Sequence, residues 1–255
     1  MRQELKLKGK TIGNGKPLVC VPIMAKTGSG ILDEATRLVE AGVDLIEWRL
    51  DAYEEVEEGE AVLSLLKQLK PMMRETLLLA TFRSAKQGGL RELPEEVLDD
   101  LHLKLAESGS VDLIDIEYFA DLHADEKIDR IHGYGAHVIT SQHNFEETPS
   151  YEEIAMTLRT MEKSNTDIVK FAVMPQNRGD VLRMLQATVD FQEEYPTTPI
   201  VTMSMGGLGT CSRMIGEFSG SCITFGAGTV ASAPGQLPMG ELKEALEILH
   251  RGMSL

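Results

Sequence analysis

Asp167-Ile168-Val169-Lys170-Phe171-Ala172-Val173-Met174-Pro175 is an apolar run with one lysine near its middle and a proline at its end. β-Branched and aromatic residues fill it and no helical stripe runs through it, so residues 168–174 read as a buried strand. Lys170 is the anomaly. An ammonium removed from water either finds partners or sheds its proton, and a desolvated lysine becomes a nucleophile near neutral pH. Two readings of it stand: a Schiff-base lysine, or a strand-end lysine whose head reaches water.

Outward from this strand the chain repeats one unit. Strand-like apolar runs at 18–23, 45–50, 77–82, 113–118, 137–141, 168–174, 200–203 and 222–225 alternate with segments of helical period at 31–41, 59–69, 94–107, 124–133, 150–163, 180–194, 211–218 and 239–251. Strict alternation predicts parallel strands joined by right-handed crossovers, and eight such units close most simply into an α/β (β/α)8 TIM barrel. The weakly alternating stretch 5–16 contains Gly13-Asn14-Gly15 and predicts an N-terminal β-hairpin ahead of the barrel. Nothing divides the 255 residues, so 1–255 reads as one domain.

Composition narrows the function. A formal charge of −15 argues against nucleic acid and anionic membrane as partners. Against that background an anionic ligand needs locally placed arginines, which makes arginines at strand ends informative. Cys20, Cys211 and Cys222 are odd in number and lack CxxC spacing, which fits the cytoplasm better than a disulfide framework. No apolar run approaches a membrane span or a signal sequence. Gly9-Lys10-Thr11 lacks the glycine that a phosphate loop needs, since Glu4 stands there.

Barrel chemistry sits at the C-terminal ends of the strands. Strand two ends Glu47-Trp48-Arg49-Leu50-Asp51, with Glu47, Arg49 and Asp51 on one side, and this predicts an inward ion pair of Glu47 with Arg49. Such a pair fits ligand binding or mutual neutralisation. Strand three ends Phe82-Arg83-Ser84 and leads into Lys86-Gln87-Gly88-Gly89. Asp115 and Glu117 on strand four either surround the Lys170 ammonium or hold a divalent metal with Glu47. His143, after the fifth run, lies one strand before Lys170, within reach of it and with a pKa suited to proton transfer. His102, His123, His132, His137 and His250 fall on helices or strand starts and read as structural. Gly206-Gly207-Leu208-Gly209 offers an unspecific backbone site for phosphate, and Arg213 beyond it a better-defined anion ligand. Residues 226–236, small and bounded by glycines, have the makings of a lid.

Glu47-Trp48-Arg49 with Asp51, Thr81-Phe82-Arg83-Ser84, Ser141 and His143 with Phe145, Lys170 with Ala172-Val173-Met174-Pro175, Thr202-Met203-Ser204-Met205 and Ser232-Ala233-Pro234-Gly235-Gln236 resemble, in order and over nearly the whole chain, the type I 3-dehydroquinate dehydratases. The resemblance implies a barrel, usually a homodimer, that dehydrates 3-dehydroquinate to 3-dehydroshikimate in the shikimate pathway with no metal and no organic cofactor. It implies Lys170 as the imine-forming residue, His143 as general acid and base, and Arg213 as partner of the substrate carboxylate. Glu47, Arg49, Arg83, Ser232 and Gln236 would hold the ring hydroxyls and carboxylate.

The chain departs from the family pattern at two carboxylates. Gln87 replaces the glutamate that orients the histidine, Asn144 replaces the aspartate after the histidine, and Pro22 stands where some relatives have serine. An amide still orients the ring but stabilises an imidazolium less, so a weaker base is expected. Two alternatives remain at this level: a metal-dependent lyase or isomerase on a hydroxylated carboxylate, using Glu47, Asp115 and Glu117 with Lys170 as base, and a barrel that binds such a ligand without turning it over.

Overall fold

The computed structural model describes residues 5–13, 15–229 and 231–254. Of the sequence-based expectations, the first four residues (Glu4 among them), Asn14 of the hairpin and Val230 of the lid lie outside them. The described residues begin with a short antiparallel pair, β1 (Leu5–Leu7) and β2 (Lys10–Ile12). Lys8 and Gly9 connect them at φ 47° and 79°. Two successive positive φ values are what a tight hairpin of the I′ kind requires, so the turn lies there and not at Gly13-Asn14-Gly15 as expected.

Eight parallel strands follow: β3 (Leu18–Ile23), β4 (Leu45–Arg49), β5 (Leu77–Thr81), β6 (Leu113–Glu117), β7 (His137–Asn144), β8 (Ile168–Val173), β9 (Ile200–Ser204) and β10 (Ile223–Phe225). Their order is β10-β3-β4-β5-β6-β7-β8-β9. The seam between β9 and β10 is joined by an isolated bridge, Ile200 with Ser221, and by the Cys222 amide donating to the Ile200 carbonyl at 2.8 Å. The expected barrel is therefore present and almost closed. The crossovers carry α1 (Gly28–Glu40), α2 (Gly59–Met73), α3 (Glu95–Glu107), α4 (Ala124–Gly133), α5 (Tyr151–Glu162), α6 (Arg178–Glu194), α7 (Thr210–Met214) and α8 (Gly216–Ser219), with α9 (Met239–Met253) last.

Two expected elements differ. β7 runs on to Asn144 because it stays paired with β8 up to Asn144 opposite Val173, which puts His143 on the strand itself. The single helix expected over 211–218 is α7 and α8, broken at Ile215. A side chain at Gly216 would meet the Ser221 carbonyl at 2.7 Å and Pro17 at 2.6 Å, so the chain turns where only glycine fits.

Strand alternation sorts the core into two shells. On β8, Ile168 and Ala172 join Leu45, Leu79, Leu113, Ile139 and Val201 inside the barrel, whereas Val169, Phe171 and Val173 face α5 and α6. Lys170 shares the phase of Ile168 and Ala172 and so projects inward. Ile12 is buried in the inner shell and Leu5 and Leu7 pack against it, so the hairpin covers the N-terminal end of the barrel.

At that end Asp167 accepts from Val138 N at 2.8 Å and binds His132 Nε2 at 2.8 Å and His137 Nδ1 at 2.9 Å, a structural role for both histidines. Burial raises the Asp167 pKa, but the bonds from His132, His137 and Val138 outweigh it and hold the carboxyl below the usual range. A depressed folded pKa means that the contribution is complete above the unfolded value near 4 and is lost as pH falls through and below it. Asp167→Asn should cost about 1–3 kcal/mol at neutral pH. The gap from the parent protein should narrow below about pH 4, as urea unfolding across pH will show.

Candidate active site

Register brings the chemistry together. Ser141 on β7 lies opposite Lys170 on β8, and His143 lies opposite Ala172 one inward position nearer the strand end. Lys170 is 3% exposed. Its Nζ is 3.2 Å from Asp115 Oδ2 and 3.8 Å from Glu47 Oε1, and it sits over the Phe225 ring at 4.6 Å from the centroid. The head thus lies inside, and the strand-end reading of this lysine is excluded.

Asp115 also receives Ser141 Oγ at 2.6 Å and pairs with Arg83 Nη2 at 2.8 Å. Burial alone would raise its pKa, but Arg83, Lys170 and the Ser141 bond hold it low, so it stays an anion. Glu117 turns to Arg83, accepting from Nη1 at 2.8 Å and from Ser84 N at 2.9 Å. Of the two carboxylates expected around Lys170 or a metal, Asp115 meets the lysine and Glu117 does not. Both are already engaged by cationic side chains of the protein, an arrangement unlike a metal ligand set.

The expected Glu47–Arg49 pair is replaced by another. Arg49 makes a two-bond fork to Asp51, Nε to Oδ1 and Nη2 to Oδ2, both at 2.8 Å, because a short 3-10 turn over Leu50–Ala52 folds the Asp51 carboxylate back onto the guanidinium. Glu47 instead accepts from Thr81 Oγ1 at 3.0 Å and faces Lys170.

The His143 ring is oriented by its hydrogen bonds. Gln87 Oε1 accepts from the His143 backbone N–H at 2.8 Å, which fixes the amide with oxygen toward the histidine. The same oxygen lies 3.1 Å from His143 Nδ1. An acceptor there requires the proton on Nδ1 and leaves Nε2 with its lone pair. Burial, then Arg83, Lys170 and Arg49, push the His143 pKa well below its ordinary value, so the ring is a neutral base. Phe145 stacks on this ring at 6.4 Å and presses on Gly88, where a Cβ would come within 2.3 Å of it.

Arg213 stands opposite. It is 1% exposed, donates to Met203 Sδ at 3.4 Å and to the Pro234 carbonyl at 3.1 Å, and leaves Nε without a partner. Burial lowers its pKa to about 10, with no acidic group among the described residues to offset it. A guanidinium in this setting has the charge and donors to receive an anion. The expected lid folds over it: Ser232 N donates to Gln236 Oε1 and Gln236 Nε2 to Ser232 Oγ, both at 2.9 Å. Gly206 N donates to the Pro234 carbonyl at 3.1 Å and Gly209 N to the Gly206 carbonyl at 3.2 Å, so these amides serve the fold and not a phosphate.

Glu47, Arg49, Arg83, Gln87, His143, Lys170, Arg213, Ser232 and Gln236 all line one cavity of about 50 Å3, closed down by the lid residues. A larger cleft of about 570 Å3 lies on the outer side of Gln87 and His143, beyond Lys170 and the arginines. Sequence reasoning gave no role to Ser141, Phe225 or Thr81. Ser141 carries a signal only in its register to Lys170, and Phe225 none.

The family model described as type I 3-dehydroquinase matches residues 19–253. A 3-dehydroquinate dehydratase of Bacillus licheniformis is 42% identical, over 99% of this chain and all of that protein. One of Clostridium botulinum is 44% identical, again over 99% of this chain and all of that one. The crystal structure of the type I enzyme of Clostridium difficile with covalently modified comenic acid superposes with a TM-score of 0.95 at 41% identity, covering 99% of this chain and 100% of that one.

Gln87→Glu should raise the His143 pKa, since it puts an opposite charge about 3 Å from Nδ1. An NMR titration of the ring in both proteins is the check, and an unchanged pKa would show that this loop does not tune the base.

Proposed function

The chain belongs to the type I 3-dehydroquinase family, and we propose that Lys170 and His143 carry its chemistry. The enzyme is a hydro-lyase of the shikimate pathway of aromatic amino acid biosynthesis, converting 3-dehydroquinate to 3-dehydroshikimate through a lysine Schiff base. The observation that supports this assignment is the convergence of a buried lysine, a neutral histidine and an unpaired guanidinium on one cavity.

In the proposed sequence Lys170 Nζ adds to the ketone carbon, and loss of water leaves an iminium. The iminium withdraws electrons from the adjacent carbon, and His143 Nε2 takes its proton. The electron pair moves onto nitrogen as an enamine and then returns to expel the β-hydroxyl, which leaves as water with the proton from His143. A water hydrolyses the new imine and frees Lys170. Asp115, kept anionic by Arg83, stays beside the nitrogen wherever that nitrogen is positive. Arg213 pairs with the substrate carboxylate, while Glu47, Arg49, Arg83, Ser232 and Gln236 hold the ring hydroxyls and carboxylate.

Residues 1–255 are proposed to work as one barrel domain in a homodimer, the dimer resting on the family resemblance. Cys20, Cys211 and Cys222 are free thiols, which supports a cytoplasmic setting. Among the described residues no helix is long and apolar enough to cross a membrane.

Lys170→Ala should abolish turnover with the circular dichroism spectrum unchanged, and borohydride with 3-dehydroquinate should add the reduced ligand mass to Lys170 of the parent protein. Absence of the adduct removes the imine reading. Arg213→Ala should raise KM about tenfold or more while leaving the thermal midpoint close to the parent value. An unchanged KM would place the carboxylate on Arg49 or Arg83.

A further inference from the structure

Asp51 has no part in the chemistry just described, yet it is 0% exposed and both its oxygens are fully subscribed. Oδ1 accepts from Arg49 Nε at 2.8 Å and from the Arg83 backbone N–H at 3.3 Å. Oδ2 accepts from Arg49 Nη2 at 2.8 Å and from the Leu90 backbone N–H at 3.1 Å. A carboxylate offers about four lone-pair sites, and here each is used, by two different kinds of partner. One is a substrate-facing guanidinium. The other is the backbone at the two ends of the segment that carries Gln87.

Apart from Ser84 N, which donates to Glu117 Oε1 at 2.9 Å, and Gln87, the segment is tied to itself. Gln87 N and Gly89 N both donate to the Ser84 carbonyl, at 3.0 and 2.8 Å, and Ala85 N donates to the Arg91 carbonyl at 3.1 Å. The loop is a compact unit whose entry at Arg83 and exit at Leu90 are pinned to one buried anion. From its middle Gln87 reaches across to His143 and sets the ring tautomer.

We infer that Asp51 is a positioning residue that couples the grip of Arg49 to the tautomer of His143, through the Arg83–Leu90 loop and Gln87. The inference rests on the reading of His143 as the base. An asparagine at this position keeps the shape but turns one oxygen into a donor. Whichever way its amide lies, the NH2 faces either Arg49 Nε with Arg83 N–H, or Arg49 Nη2 with Leu90 N–H. Two donors are then opposed, and one end of the loop is released. With Gln87 displaced, nothing holds the proton on Nδ1, and a shift of even 1 Å in a catalytic group is costly.

The test is the tautomer of His143 read by 15N chemical shifts of the ring in Asp51→Asn, with no substrate present. The parent should show Nδ1 protonated and Nε2 bare, and Asp51→Asn a mixture, with kcat down about tenfold or more alongside a raised KM. Because Arg49 is left without its anion, Asp51→Asn alone could fail to fold. Arg49→Met with Asp51→Asn removes both charges together, and its ring should show the same mixture. A parent-like single tautomer in either variant overturns the inference, as does a rise in KM with kcat unchanged, which would confine Asp51 to holding Arg49. The tautomer needs no turnover, so it is separable from the borohydride test: a missing adduct overturns the Schiff-base reading and leaves the tautomer result standing on its own.

Discussion

A charge inside a barrel has to be answered by another charge or by a ligand, because desolvation leaves it nowhere else to go. The upper layers of this barrel are built on that constraint. Asp115 answers Lys170 and Arg83, Glu117 answers Arg83, and Asp51 answers Arg49. Among the described residues, Arg213, across the cavity, is answered only by a thioether and a carbonyl. The carboxylates gather on the side of β4, β5 and β6 and leave the α7 side positive. In the proposed reading a substrate carboxylate fills the gap at Arg213, on the cavity that Lys170 and His143 also line.

The amide of Gln87 acts on this balance. A glutamate in that position would share its charge with a histidine already set among Arg83, Lys170 and Arg49. The amide gives orientation without charge, and the imidazole stays neutral. Deprotonating a carbon needs a neutral imidazole, whereas protonating a departing hydroxyl needs the imidazolium. In the proposed reaction, with His143 as acid and base, Gln87 would favour the first requirement at the expense of the second.

Much of the fold was legible because barrel strands buried on both faces read as apolar runs, and their repeated alternation with helical segments leaves few topologies. The hairpin turn was misplaced because Gly13-Asn14-Gly15 carries the composition of a turn, whereas Lys8 takes up a positive φ that lysine does not advertise. Glu47 was legible as an inward residue by alternation, whereas the sequence left two readings of Lys170 open and placed His143 only on the neighbouring strand. The partner of Arg49 was not legible. Alternation holds only while the strand lasts, and the 3-10 turn at Leu50 brings Asp51 back to the guanidinium. Phe225 under the lysine depends on β10 lying across the seam from β9, a distance that the sequence pattern does not encode.

The three-residue strand β10 is also the last barrel strand to leave the ribosome. Until it arrives, β3 and β9 are the two free edges of an open seven-stranded parallel sheet, with the inner apolar shell exposed between them. Open edges of this kind recruit strands from other chains. Without β10, β7 and β8 could hold His143 and Lys170 in register while the space around them stayed open. On the β9 side closure of the barrel rests on the few bonds at Ile200, Ser221 and Cys222.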